Sequence, residues 1–326
     1  MTHFGRMFDE RGLQALENAL MQSEHGHWWR DLLTLWRPSG QPTEDCGLRL
    51  AVRNGYMNFY RGGQSIARIS LNSRRQPILS VHAKYVLPEA DRNTVIGREY
   101  LTLTTTSLVR RGGYPALPYE GIETLKGWVR SVDKRHRGHE KRFVDELLGL
   151  PENDGVIDLE MGLPAWAENS TAQRMDLVAI DRVDGKLTVF FGEVKRVTDA
   201  RLRCRAPLKQ DEMPEVLRQL SDYRKYLAAP GHPTLIGEQY LKAARLMKRL
   251  RQMADVIGPT RPLGQAIVDA ANGEALAVAE LARLIVFNDG KGNQRAWTEH
   301  QAKLAAEKER IPMMVMEAPA ALNFGG

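Results

Sequence analysis

Two apolar segments separated by Asp184-Gly185 constrain the fold of this chain more than any other feature. The segments read RMDLVAIDRV, at 174–183, and KLTVFFGEVKRV, at 186–197. Val, Ile and Phe are enriched in strands, and Asp-Gly is a preferred two-residue hairpin turn, so the pattern predicts an antiparallel hairpin. The run LTVFF is too apolar for an exposed strand, which is typical of a strand covered on both faces. The hairpin is therefore expected at the centre of a sheet.

Helix and strand patterns alternate around this hairpin. Such an order favours a mixed sheet with helices packed against it, in an α/β (α+β) protein. In chain order the patterns predict helix 139–149, strand 155–162, the hairpin, helix 215–229, a helical stretch over about 233–282, strand 281–289, helix 297–310 and strand 311–317.

The first part of the chain has a different pattern. Residues 1–45 carry apolar positions at helical spacing, and residues 47–105 contain short strand-like segments, the last of which is PILSVHAKYVL. The segment GGYPALPYEG, within 106–135, is rich in Gly and Pro and is interpreted as a linker. The predicted organisation is an N-terminal α+β module at 1–130, a second domain at 131–317 with a helical insertion at about 233–282, and a C-terminal tail at 318–326.

Composition places the chain among soluble globular proteins. Of its 326 residues, 43% are hydrophobic and 26% are charged, which excludes wholesale disorder. Two cysteines, Cys46 and Cys204, are too few for a disulfide framework or a four-cysteine zinc site. No apolar run approaches the ~20 residues that span a bilayer, and the N-terminus lacks an apolar signal core, so we expect a cytoplasmic protein without a membrane partner. The net charge of +6 is compatible with a polyanionic partner.

Asp176, Glu193 and Lys195 are the residues that most strongly indicate chemistry. Side chains alternate along a strand, so Glu193 and Lys195 point to one side and Val194 points to the other. The hairpin register brings Asp176 beside Glu193. Adjacent carboxylates repel and are costly to desolvate unless a cation lies between them, and carboxylates with water are ligands that Mg²⁺ prefers. The alternative is that Glu193 and Lys195 form a plain ion pair, as Glu-x-Lys triplets on exposed strands commonly do.

Further polar residues fall close to this group in the predicted elements. Glu140, in the helix before the first strand, supplies a third carboxylate, and Asp145 or Glu146 takes that place if the register of the helix differs. Gln219 and Tyr223 are four residues apart in the helix after the hairpin, so they share one helical face.

In their order and spacing these residues resemble the PD-(D/E)xK nuclease superfamily, in its RecB-like branch with a Q-x-x-x-Y helix. The matching text is GHEKRFVDELL, RMDLVAI, FFGEVKRV and RQLSDYRKYL, and the resemblance covers about 136–317. Met175 stands where the superfamily motif often has proline. The resemblance implies a restriction-endonuclease-like mixed sheet flanked by helices, and metal-dependent hydrolysis of DNA phosphodiester bonds. By analogy, the biological role is DNA repair or phage defence.

The same resemblance implies roles for individual residues. Mg²⁺ or Mn²⁺ is held by Asp176, Glu193, the Val194 carbonyl and, as an outer or additional ligand, Glu140. Lys195 orients the attacking water. Gln219 and Tyr223 brace the site or contact the nucleic-acid backbone.

Two other classes of function remain open at this level. One is a catalytically inactive DNA-binding or scaffold subunit that keeps the nuclease fold, and the other is a metal-independent interaction protein. The chain has no GxxxxGK[ST] loop, so an ATPase or helicase would have to be a partner, and a homodimer is the other assembly considered. RNA as the substrate is also open.

Basic and aromatic residues outside the motifs bear on the partner. Basic runs at 126–142, 201–209 and 242–251 suit a phosphate-rich ligand, although such runs are more often solvated faces. Arginine and aromatic residues are interleaved along 53–85, which suits nucleic-acid or partner binding. The same period-two pattern equally describes a half-buried sheet with one wet face.

Overall fold

Two β-sheets, one from each half of the chain, organise the protein in a computed structural model. The structure describes residues 4–22, 27–87, 99–103, 107–109, 115–135, 139–163, 174–203, 214–258, 262–305 and 311–324. Helices and strands are mixed in both halves, which confirms the expected mixture of α and β structure. None of the helices in these ranges has the length and apolarity needed to cross a membrane.

The first sheet is antiparallel, with its strands in chain order. Two-residue loops join the first three strands, and in the second of these loops Gly62 and Gly63 have the positive φ angles (50° and 67°) that such tight hairpins require. The strands are β1 Arg49–Arg53, β2 Tyr56–Arg61, β3 Gln64–Leu71, β4 Pro77–His82, β5 Tyr100–Leu103, β6 Ser107–Val109 and β7 Pro115–Pro118.

Two sequence predictions for this half are wrong in detail. The segment PILSVHAKYVL was predicted as one strand, but the strand ends at His82, whose Nδ1 accepts a hydrogen bond from the Lys84 backbone N–H and begins a short helix. Part of the predicted linker GGYPALPYEG forms β7, which pairs with β6, and its residues 112–114 lie outside the described residues. The helices of this half are α1 Glu10–Gln22, α2 Trp28–Leu35, α3 Ala83–Val86 and α4 Ile122–Arg135.

The second sheet is mixed and has the predicted hairpin at its centre. The hairpin strands pair antiparallel across Asp184-Gly185, and both turn residues have positive φ (50° and 76°). Its strands are β8 Val156–Gly162, β9 Arg174–Val183, β10 Lys186–Arg196, β11 Ala277–Val278, β12 Arg283–Phe287 and β13 Met313–Met316. The order across the sheet is β13-β12-β10-β9-β8, with β12 parallel to both β10 and β13.

Helices cover both faces of β10, as its apolar sequence predicts. Val194 packs with Phe143 and Leu147 on one face, whereas Val189 and Phe191 belong to the larger core on the other. The helices of this half are α5 His139–Leu147, α6 Glu215–Leu227, α7 His232–Ile257, α8 Gln265–Ala271 and α9 Gln294–Ala305.

The predicted helical stretch over 233–282 is wrong at its end, because β11 lies inside it. β12 pairs only with the second half of β10, from Gly192 to Arg196. Ala277 and Val278 pair in parallel with Thr188 and Val189 in the first half. Two residues of strand are too short to produce a recognisable alternation in sequence.

Residues 318–324, predicted as a tail, pack against the second sheet. Leu322 and Phe324 are buried, and the Phe324 ring stacks on Phe190 with centroids 4.8 Å apart. The Leu322 backbone N–H donates to Asn153 Oδ1 at 2.7 Å. The segment APAALNFGG has no periodic apolar pattern, so its sequence gave no sign of this packing.

A buried ionic cluster joins the two halves of the chain. The Asp158 carboxylate, on β8, accepts hydrogen bonds from Arg6 Nε at 2.8 Å, from Arg53 Nη1 and from the Tyr240 hydroxyl at 3.1 Å. The division at residue 130, which falls within α4, stays a prediction.

Candidate functional site

The candidate site lies where β9 and β10 separate. The regular ladder between these strands ends at the pair Gly192 and Leu177. Two residues further along β10, the Val194 backbone N–H donates to Asp176 Oδ2 at 2.7 Å. The end of the ladder therefore fixes the position of the Asp176 carboxylate.

At Gly192, side chains of the two neighbouring strands, Leu177 of β9 and Ile285 of β12, approach β10 closely. A Cβ atom at residue 192 would lie 2.7 Å from Leu177 Cδ1 and 3.1 Å from Ile285 Cδ1. A side chain at residue 192 would displace the Leu177 and Ile285 side chains directly before Glu193.

Oxygen atoms of three residues gather around the ammonium group of Lys195. This group contacts the Glu193 carboxylate, donates to the Val194 carbonyl at 2.8 Å and lies 3.6 Å from Asp176 Oδ2. Glu193 and Lys195 are each only 2% exposed. The expectation that Glu193 and Lys195 share one side of β10, with Asp176 beside them, is thus met in the geometry.

Gln219 and Tyr223, both on α6, hold the Glu193 carboxylate. Gln219 Nε2 donates to Glu193 Oε1 at 2.8 Å. The Tyr223 hydroxyl can donate either to Glu193 Oε2, at 3.0 Å, or to the carbonyl oxygen of Arg174. Both oxygens of Glu193 therefore have hydrogen-bond partners on α6.

Glu140 lies at the rim of this group. Its Oε2 atom is 3.4 Å from the Arg196 backbone N–H, which donates to it. The two alternatives on the same helix are engaged elsewhere, because Asp145 accepts from Thr43 Oγ1 at 2.6 Å and Glu146 from Arg142 Nε at 2.7 Å. Of the three carboxylates of α5, Glu140 is therefore the one that lies beside the site.

Burial and like charge shift the proton equilibria of the site. Burial, together with the negative charges of Glu193 and Glu140, raises the pKa of Asp176 to about 8, against the opposing effects of Lys195 and the Val194 N–H. Burial likewise raises the pKa of Glu193, although Lys195, Tyr223 and Gln219 oppose the shift. Burial alone would lower the pKa of Lys195, but the charges of Asp176 and Glu193 outweigh it and raise that pKa. With both carboxylates ionised, the three side chains carry one excess negative charge.

This donor set fits a hard divalent cation. Two carboxylates and one backbone carbonyl are oxygen ligands, and Mg²⁺ commonly takes one or two carboxylates and keeps several waters. The described ranges contain no cluster of three or more His, Cys, Asp and Glu side chains that could hold a metal. Lys195 already places a positive charge at the point where these oxygens converge.

Most described members of the three basic runs are paired with acids. In the first run Lys141 pairs with Glu160, and in the second Arg201 pairs with Asp199. In the third, Arg249 pairs with Glu10 and Glu17 of α1. These contacts fit the interpretation of solvated faces, and residues 136–138 and 204–210, including Cys204, Arg205 and Lys209, lie outside the described residues.

The sequence did not single out two residues that shape this region. The Arg174 carbonyl meets the Tyr223 hydroxyl, and its sequence signal was only its position two residues before Asp176 on the same strand. Asp158 was the only charged residue between the apolar residues of VIDL, which marks a buried charge in a strand. Neither of these sequence features shows which residue contacts Arg174 or Asp158.

Asp176→Asn is expected to stabilise the metal-free protein at alkaline pH. In the unfolded chain the carboxyl ionises near 3.8, whereas in the folded protein its pKa is about 8. Between these values the folded state keeps a proton that the unfolded state has lost, so the free energy of unfolding falls as pH rises, by at most about 1.4 kcal/mol per pH unit. Asparagine does not titrate and avoids this loss.

Urea unfolding in EDTA at pH 5, 7 and 9 measures this effect. The free energy of unfolding of the variant, relative to that of the wild type, should increase with pH up to about pH 8 and stay constant above it. The matched change Asp181→Asn, at a partly exposed position of the same strand, is the control for the substitution itself. If the free energies of unfolding of Asp176→Asn and the wild type differed by the same amount at every pH, the raised pKa of Asp176 would be contradicted.

Comparison of the chain with family models, with curated proteins and with solved structures returned no match.

Proposed function

We propose that this protein is a metal-dependent nuclease that hydrolyses DNA phosphodiester bonds, on a restriction-endonuclease-like core. The observation that carries the proposal is the convergence of Asp176 Oδ2, the Glu193 carboxylate and the Val194 carbonyl on one buried positive charge. The order α5, β8, β9, β10, α6 around a mixed sheet supports the same proposal. A role in DNA repair or phage defence follows from the sequence resemblance alone.

Asp176, Glu193 and the Val194 carbonyl would hold Mg²⁺ or Mn²⁺, with Glu140 as an outer ligand. A bound divalent cation lowers the pKa of its water and offsets the negative charge that develops on a phosphate. The chain itself supplies the fixed positions of these oxygens. Gln219 and Tyr223 keep both oxygens of Glu193 in place, since supporting hydrogen bonds orient the ligands of a metal.

Lys195 has two tasks in this proposal. Without a divalent cation its ammonium group neutralises part of the charge of Asp176 and Glu193. With nucleic acid bound, the same group donates to the attacking water or to the scissile phosphate, since both accept hydrogen bonds from a cation.

One observation favours a different function. The direct contact between Lys195 and Glu193, with Gln219 and Tyr223 completing the hydrogen bonds, also describes a satisfied structural ion pair in an inactive DNA-binding or scaffold subunit. Such a protein would show no divalent-metal dependence. Metal-dependent turnover therefore separates the two functions.

Removal and return of divalent metal is the test of the proposed function. Labelled linear, circular and single-stranded DNA, with RNA as a further substrate, should be cleaved in Mg²⁺ or Mn²⁺ and left intact in EDTA. Gln219→Leu should lower the rate roughly 10–100-fold, the usual cost of losing a group that orients a metal ligand.

Gln265→Leu is the control, because it makes the same change on α8, where Gln265 contacts only Asp269 among the residues described. It should cleave at the wild-type rate. An unchanged rate in Gln219→Leu, or cleavage that persists in EDTA, would contradict the proposed site, and absence of cleavage on every substrate would favour the inactive subunit.

A further inference from the structure

A cleft of about 660 Å³ opens between the two sheets, beside the candidate site. One wall is formed by strands β2 to β5 of the first sheet, through residues that include Tyr56, Arg68 and Tyr100. The other wall comes from the second half of the chain, through Lys141 on α5 and Arg174 at the start of β9.

The charge of the cleft is positive. Its described lining has six cationic side chains and a single carboxylate, Glu160. Glu160 lies 3.3 Å from Lys141 Nζ and 3.0 Å from Arg174 Nη1, so it holds two of these cations at the cleft wall. A groove with this balance attracts phosphate groups.

Aromatic rings are interleaved with these cations. Tyr100 is 55% exposed, and its ring lies 4.9 Å from that of His82. The Arg68 guanidinium lies over the Tyr56 ring, 3.9 Å from its centroid. Exposed rings next to cations are the combination that binds unpaired bases by stacking and their phosphates by charge.

Two buried polar atoms in the lining have no hydrogen-bond partner among the described residues. They are Arg6 Nη2, a donor, and Asn58 Oδ1, an acceptor. Arg6 is 3% exposed and Asn58 is 9% exposed. Both atoms have almost no accessible surface, so a ligand in the cleft would contact the charged groups and the aromatic rings of the lining and not these two atoms.

Two residues of the cleft lining are close neighbours, along the chain, of candidate-site residues. Arg174 and Asp176 are two residues apart on β9, so their side chains lie on the same face, about 7 Å apart along the strand. Lys141 directly follows Glu140 on α5. A nucleic-acid strand bound at Lys141 and Arg174 would therefore lie next to Glu140 and Asp176 in the chain.

We propose that this cleft binds a single strand of nucleic acid and guides it to the Asp176–Glu193 site. The inference rests on the proposed nuclease function and adds the class of substrate to it. The volume of the cleft falls in the range of about 300–1,000 Å³ of pockets that enclose small ligands. Stacking on Tyr100 requires a base face that is free, and duplex bases are already stacked on each other.

Binding in EDTA tests the cleft apart from cleavage. Fluorescence anisotropy is measured with labelled oligothymidylate, with a labelled duplex and, by competition, with thymidine monophosphate. Tyr100→Ala should weaken oligothymidylate binding about fivefold or more, and Tyr100→Phe should not, because the phenyl ring still stacks. Arg68→Ala should lower the salt slope by about 0.7, the contribution of one phosphate contact on a single strand.

Tyr100 and Arg68 are both exposed, so the variants at these positions should fold, and melting temperatures check this. Arg245→Ala, an exposed arginine of α7 outside the cleft lining, is the control and should leave binding unchanged. Wild-type binding by Tyr100→Ala and Arg68→Ala would overturn the inference, even if Mg²⁺-dependent cleavage is found. Equal affinity for the duplex, or a monophosphate that competes as well as the oligonucleotide, would also overturn it. Single-strand binding through the cleft without any metal-dependent cleavage would support the inference and contradict the proposed function.

Discussion

Lys195→Met is expected to remove DNA cleavage and at the same time to tighten Mn²⁺ binding. The ammonium group of Lys195 lies among the oxygens of Asp176, Glu193 and Val194, where a divalent cation would bind. Its removal leaves those oxygens in place and takes away a competing positive charge. The loss of a positioned donor to water or phosphate should lower the cleavage rate roughly 10²–10⁴-fold.

The two halves of this prediction need separate measurements. Cleavage rates are compared at saturating Mn²⁺, and Mn²⁺ affinity is measured by calorimetry without nucleic acid. Lys225→Met is the matched control, since Lys225 is an exposed lysine of α6 that pairs only with Asp222 in the described structure. A Lys195→Met protein that cleaves normally, or that no longer binds Mn²⁺, would show that Lys195 has a different role.

Asp158→Ala is expected to lower the free energy of unfolding by about 3–5 kcal/mol, the range for removing one partner of a buried ion pair. Asp158 is the shared partner of Arg6 and Arg53, which are both buried. Burial would raise the pKa of Asp158, but the charges of Arg53 and Arg6 outweigh it and hold the pKa below its ordinary value. Without this carboxylate two guanidinium groups remain buried between the sheets.

Chemical denaturation at neutral pH measures this loss directly. Because whole domains are stable by only about 5–15 kcal/mol, the change should be a large fraction of the total. Glu146→Ala removes the exposed pair with Arg142 and should cost at most about 1 kcal/mol. If Asp158→Ala lowered the free energy of unfolding by a similarly small amount, water or other groups would have to hydrogen-bond the Arg6 and Arg53 guanidinium groups in place of Asp158.

The central hairpin and its site could be predicted because their signals are local. Asp184-Gly185 fixes the turn, the turn fixes the register, and period-two alternation then places Asp176, Glu193 and Lys195 together. The four-residue spacing of Gln219 and Tyr223 likewise fixes their common face. Each of these inferences needs only residues within one element or one tight turn.

The remaining features depend on residues far apart in the chain. Asp158 meets Arg6 from 152 residues away, and no spacing rule connects them. The cleft between the sheets depends on how the two halves meet, so the interleaved Arg and Tyr residues could not be assigned to a face beforehand. Arg53 and Phe59 proved to be buried, whereas Tyr100, outside the segment that was considered, is exposed in the cleft.

Calorimetric titration of Mn²⁺ into the wild type and into Glu193→Gln tests the central claim most directly. Glutamine keeps the size of the side chain and removes its charge, and Gln219 and Tyr223 can still contact its oxygen. The account predicts saturable binding of Mn²⁺ by the wild type and its loss in Glu193→Gln, with both proteins folded. Equal binding by both proteins, or no binding by the wild type, would contradict the assignment of Asp176, Glu193 and Val194 as a metal site.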